Sequence, residues 1–136
     1  SIKFIDNKLI LLPNKIQVSE PDIYDYINKC NIISCKISNI KIEKLRFQSI
    51  LSSIWDTMSQ FEIGKHSSYK FKLKEELIEE KDIKNYKNHQ KNIDMWFCNK
   101  SGIETFKEIV KMVKLNKLNM DIIIENEQKQ LIEFNI

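Results

Sequence analysis

The chain has 136 residues, 42% of them hydrophobic and 30% charged, and a formal net charge of +3. That length suits one domain able to bury its own core, and the balance of apolar and charged residues excludes an intrinsically disordered chain. No apolar run reaches the ~18 residues a membrane helix needs, and the first residues lack a basic-then-apolar leader, so a cytoplasmic protein is expected.

The hairpin signal comes first in chain order. Two short apolar runs, residues 2–5 and 8–12, flank Asp6-Asn7, a pair that tolerates positive φ, and Pro13 stops the second run. Ser19-Glu20-Pro21-Asp22 then has the form of a helix start, with Ile23, Tyr26, Ile27 and Cys30 on one side of the helix it predicts. Ile33, Cys35 and Ile37 alternate with Ser34, Lys36 and Ser38, the period of a half-buried strand.

The longest amphipathic stretch is 42–61. At helical spacing it places Ile42, Leu45, Phe47, Ile50, Leu51, Ile54, Trp55, Met58 and Phe61 on one stripe, with Ser38-Asn39 as its cap and Gly64 near its end. It would run about 30 Å, and each large apolar side chain it buries contributes roughly 1.5–3 kcal/mol.

Tyr69, Phe71 and Leu73 alternate with Lys70, Lys72 and Lys74, which predicts a strand with lysines along its outer face. Residues 75–82, with Leu77, Ile78 and Ile83, predict a short acidic helix, and the polar stretch 85–92 a loop. Ile93, Met95 and Phe97 alternate again, leaving Trp96 on the opposite face. Ser101-Gly102-Ile103-Glu104 has the form of a capping box opening a helix over 102–114, striped by Ile103, Phe106, Ile109, Val110 and Val113. Residues 120–124 and 130–134 flank a polar turn and predict a closing hairpin. The expected fold is therefore α+β. It is a single domain over 1–136 with a mainly antiparallel sheet, hairpins at both ends, two main helices (42–61 and 102–114) covering the sheet, and one or two shorter helices.

Residue usage bears on function. Isoleucine, lysine and asparagine dominate, alanine is absent, and Arg46 is the sole arginine. AT-rich codon supply explains this pattern, so the positive charge says little about nucleic acid, for which arginine's bidentate fork is the usual tool. Cys30, Cys35 and Cys98 make an odd set without a secretion signal, as expected of reduced, buried thiols.

Chemistry finds few footholds. The cysteines and the lone His66 and His89 lack the paired spacing of a zinc site, so no metal or cofactor is expected. Cys98 with His89 or His66 is the one nucleophile–base pairing to name, and no glycine-rich turn accompanies it as an oxyanion hole. Glu75, Glu76, Glu79 and Glu80 are suited to surface ion pairs with neighbouring lysines.

Two binding surfaces remain. Lys65, Tyr69, Lys70, Lys72 and Lys74 form a basic, aromatic-interleaved segment. On a strand, its lysines at 70, 72 and 74 would stand about 6–7 Å apart, near the phosphate repeat of one nucleic-acid strand. The competing explanation is an edge strand whose lysines block aggregation. Trp96 together with Glu75, Glu76, Glu79 and Glu80 forms the second surface, suited to a protein partner.

Lys44-Leu45-Arg46-Phe47-Gln48 opens the long helix with its tryptophan, and a later strand over 93–97 turns into the helix at Ser101. In these two pieces the chain resembles small phage-encoded accessory proteins of the NinB recombination type. The resemblance implies single-stranded DNA binding with Arg46 and Gln48 near the DNA.

The function expected is non-enzymatic binding to another macromolecule, by a phage or mobile-element protein that could inhibit a host nucleic-acid or defence machine. A protein partner is favoured and nucleic acid is the alternative, in the manner of a recombination accessory protein. A small enzyme using Cys98 or His89 is the third possibility, and no membrane partner is expected.

Overall fold

A computed structural model of the chain describes residues 2–5, 8–11 and 15–136, the first two stretches by their backbone pairing alone. The fold is α+β with mainly antiparallel sheets, as expected. Strand β1 (Ile2–Ile5) pairs antiparallel with β2 (Lys8–Leu11), Ile5 facing Lys8, the register of the expected opening hairpin. The expected turn at Asp6-Asn7 and the stop at Pro13 lie outside the described residues. Beyond this, the chain divides into two compact units, Ser1–Glu43 with Asn119–Ile136, and Lys44–Leu118.

The first unit holds a five-stranded sheet of β3 (Lys15–Val18), β4 (Asn31–Ile37), β5 (Ile40–Lys41), β9 (Met120–Glu125) and β10 (Leu131–Asn135), in the order β3-β10-β9-β4-β5. Only β3 and β10 run parallel. One face buries Cys35, Ile37, Met120, Ile122, Ile124, Ile132 and Phe134, while Lys36 and Asp121 on the other are exposed. The closing hairpin turns on Asn126. Its Oδ1 accepts from the Gln130 amide at 2.9 Å, and its Nδ2 donates to Gln130 Oε1 at 2.8 Å, an arrangement that asparagine's short amide suits.

Three expectations change in this unit. Ser38 and Asn39 do not cap a helix: with φ of 49° and 67° they are the two-residue turn joining β4 to β5, the left-handed geometry that matches strand twist. Ile33 is 46% exposed, because a bulge between Ile32 and Ser34 leaves it unpaired against β9 and shifts the alternation by one. The expected helix after Pro21 is a single 3-10 turn, Asp22–Asp25. It still buries Ile23, and Ile27 beyond it, but leaves Cys30 half-buried.

In the second unit the helix expected over 42–61 is two helices, α1 (Phe47–Trp55) and α2 (Gln60–His66). Helix α1 starts five residues late because Arg46 is extended and serves as its N-cap residue. It stops at Trp55, and Ser59 opens α2 through a reciprocal capping box with Glu62. At the corner Asn92 Nδ2 donates to Met58 O at 3.0 Å and to Trp55 O at 2.8 Å, the latter also accepting from the Met58 amide. Phe61, expected in the core, is instead 75% exposed on α2.

Helix α4 (Gly102–Leu115) forms where expected, with Ser101 Oγ accepting from the Glu104 amide at 3.2 Å. It buries Phe106, Ile109, Val110, Met112 and Val113 and packs against α1, where Phe47 meets Phe106 edge-on at 5.4 Å.

A three-stranded antiparallel sheet completes this unit, with β8 (Met95–Phe97) between β6 (Phe71–Lys72) and β7 (Asn88–Gln90). Trp55 sits at the centre of its core, edge-on to Tyr69, Phe71 and Phe97 at 5.0, 5.2 and 5.2 Å between ring centroids. Each such pair contributes about 0.5–1.5 kcal/mol beyond area burial.

Candidate functional site

The expected lysine-lined strand is only two residues long. After Lys72 the chain turns into a 3-10 helix, Lys74–Glu76, whose Glu76 Oε1 accepts from the Leu73 amide at 2.8 Å. Lys70, Lys72 and Lys74 therefore do not form a row along one strand. Tyr69 is 5% exposed and its hydroxyl lies 3.0 Å from Thr105 Oγ1, so its ring is not available for stacking on a base. Burial pushes the Tyr69 hydroxyl pKa up. Lys72 Nζ donates to Asp82 at 3.0 Å and lies 5.0 Å from the Tyr86 ring centre; the Asp82 bond holds its pKa above the ordinary lysine value.

Lys65 lies 5.9 Å from the Phe61 ring centre on α2. Arg46 and Gln48 stand at the start of α1, Gln48 bonded to Ser52 at 3.5 Å.

Trp96 lies on the central strand, on the sheet face away from Phe97, as its phase predicts. Across the strands it faces Lys72 on one side and His89 on the other. The His89 ring lies over the indole at 4.7 Å, tilted by 35°, with Nε2 2.7 Å from Asp94 Oδ1. Leu77, Ile83, Tyr86 and Trp96 form the apolar walls of an open groove of about 460 Å³, with Lys74 and Lys87 at its sides. Ile83 is 58% exposed, and Ile78, in the same stretch, 80%.

The short helix α3 (Glu80–Asn85) explains this exposure. Six residues make under two turns and bury no side chain of their own, so the apolar residues around them stay at the surface. The helix expected over 75–82 is thus replaced by the 3-10 turn and α3. Glu75 and Glu76 stand in the turn, Glu79 precedes α3 without a side-chain capping bond and pairs with Lys81 at 3.4 Å, and Glu80 opens α3. None of the four carboxylates lines the groove; they stand in the segment that frames it.

The stretch expected to be a loop, 85–92, carries β7 and part of a further 3-10 turn, Lys91–Ile93. It supplies Lys87, which the sequence offers only as an extension of the basic patch, and Tyr86, which sequence pattern did not single out. Their signal was weak: one aromatic and one lysine in a polar run, brought to Trp96 by strand pairing.

Among the described residues no three of His, Cys, Asp and Glu gather as a metal site. His89 pairs with Asp94, and Cys98 lies against the Tyr86 hydroxyl, so the structure does not join the two residues expected as nucleophile and base. Burial pushes the Cys35 thiol pKa up to about 12, with the Asp121 charge adding to the shift, and burial also raises that of Cys30. Among the described residues no helix is long and apolar enough to cross a membrane. Compared with protein-family models, curated proteins and solved structures, the chain matches none.

Proposed function

We propose that this chain is a non-enzymatic binding protein that docks a partner protein in the groove beside Trp96. The observation that carries this is the gathering of Leu77, Ile83, Tyr86 and Trp96 into one open groove, with Ile78 exposed in the same stretch. Large apolar side chains grouped at a surface mark interaction sites, and tryptophan and tyrosine are the residues on which binding energy concentrates. The nucleic-acid alternative loses support from the buried ring of Tyr69 and the ion-paired Lys72. AT-rich residue usage suits a phage or mobile-element source, and an inhibitor of a host machine would act through such a surface.

The test is affinity capture from the source cell with nuclease-treated lysate, comparing the native chain with Trp96→Ala and Ile83→Glu. Losing a hot-spot tryptophan should weaken capture by about 30-fold, equivalent to roughly 2 kcal/mol, while the thermal melt is retained. Equal capture by all three proteins would refute the proposal. A partner lost on nuclease treatment would return the argument to nucleic acid.

A further inference from the structure

The side walls of the Trp96 groove carry charge of one sign. Lys74 and Lys87 are exposed, line the groove, and have no ion-pair partner among the described residues. None of the nearby acids lines the groove: three are engaged elsewhere, and Glu75 and Glu80 stand exposed in the segment that frames it. Asp82 binds Lys72 at 3.0 Å, Glu79 pairs with Lys81 at 3.4 Å, and Glu76 accepts from the Leu73 amide. A groove lined by four apolar residues and two unpaired lysines favours an occupant with both apolar side chains and carboxylates, since a neutral or basic segment would leave the ammonium groups unpaired or repelled.

We propose that the groove binds an acidic, hydrophobic peptide segment of its partner, apolar residues against Leu77, Ile83, Tyr86 and Trp96 and carboxylates against Lys74 and Lys87. This rests on the protein-docking function above and specifies the partner's chemistry. Lys72 Nζ lies 5.0 Å from the Tyr86 ring centre, a contact that fixes one wall residue without help from a partner.

The experiment selects a displayed library of random peptides, each about 12 residues long, against the immobilised full chain, long enough for a short helix or extended segment to fill the groove. Enriched peptides should carry Asp or Glu among aromatic or aliphatic residues. Their affinity should fall at least about tenfold for the Lys74→Glu, Lys87→Glu double variant and drop as salt is raised. The Lys36→Glu, Lys41→Glu variant makes the same change of net charge on the sheet of the other unit and should bind as the native chain does. Enriched peptides that need Trp96 but are neutral or basic would overturn the acidic-segment proposal and leave protein docking standing. Selection that yields no Trp96-dependent peptide, or equal losses for the two double variants, would overturn it as well. The fate of protein docking itself is read separately, from whether Trp96→Ala loses the captured partner.

Discussion

Glu108 holds Ser68 twice, its Oε1 accepting from the Ser68 amide at 3.2 Å and from its hydroxyl at 2.9 Å. The carboxylate is fully buried on α4, also accepts from the Ser67 hydroxyl, and has Lys111 Nζ 3.5 Å away. A buried acid on a helix thus fixes the chain where α2 ends and Tyr69 enters the aromatic core.

Glu108→Ala should therefore destabilise the protein by about 1–3 kcal/mol, because a buried acceptor is lost to the half-buried Ser67 hydroxyl and to the amide and hydroxyl of the exposed Ser68. Glu108→Gln keeps one carbonyl oxygen and should lose less. Urea denaturation measures both, and a loss under about 0.5 kcal/mol for the alanine variant would contradict this role.

Asn92 makes a sharper case at the end of α1. Removing its amide in Asn92→Ala should cost about 1–2 kcal/mol, since Met58 O loses its side-chain donor and Trp55 O keeps only the Met58 amide. Asn92→Asp loses the donor and places a negative charge at the negative end of the helix, so it should cost at least as much. If the aspartate variant were as stable as the native chain, the two carbonyls would have to be satisfied some other way.

The indole Nε1 of Trp55 is buried and has no hydrogen-bond acceptor among the described residues. Trp55→Ala should cost about 3–5 kcal/mol, the usual range for emptying an aromatic site in a core. Trp55→Phe keeps a ring among Tyr69, Phe71 and Phe97 and discards an unpaired donor, so its loss should be less than half of that. Equal losses in denaturation would show that the N–H contributes a bond of its own.

Cys35 gives a prediction in pH. Its folded pKa of about 12 lies above the ordinary thiol value of 9.0, so the folded chain keeps a proton that the unfolded chain releases. The stability it contributes is complete below pH 9 and is lost as pH rises towards 12, the unfolded state being favoured as its thiol ionises. At pH 8 iodoacetamide should spare Cys35 in the native protein and modify it after denaturation, as intact-mass and peptide mass spectrometry would show. Rapid native labelling at Cys35 would contradict its burial.

Helix α4 and the closing hairpin were legible because their signals are local. Ser101 sits at the cap, and two short apolar runs flanking the polar stretch 125–129 need no knowledge of partners. The corner between α1 and α2 was hidden because apolar spacing runs on through Met58 and Phe61, masking the Ser59–Glu62 capping box inside it. What stabilises that corner, Asn92, is more than thirty residues away, and no periodicity reports such a bond. Ile33 misled for a related reason: a bulge inserts one residue without any change in composition. Trp96 was placed on the correct sheet face by its phase alone. Its companions Leu77, Ile83 and Tyr86 were not grouped with it, because the pairing of β6, β7 and β8 brings them together and alternation within one strand cannot reveal that.

The corner at residues 56–59 also decides where the chain can be opened for labelling or splitting. Both its ends are occupied, by Asn92 on the carbonyls of Trp55 and Met58 and by Glu62 on Ser59, so extra residues there would pull apart two helices that are fastened independently. The tip between Glu127 and Gln128 is different. Both residues are exposed, and Asn126 and Gln130 clasp the hairpin below them, so a tag or fluorophore inserted there is carried by a turn whose base is fastened by its own side chains.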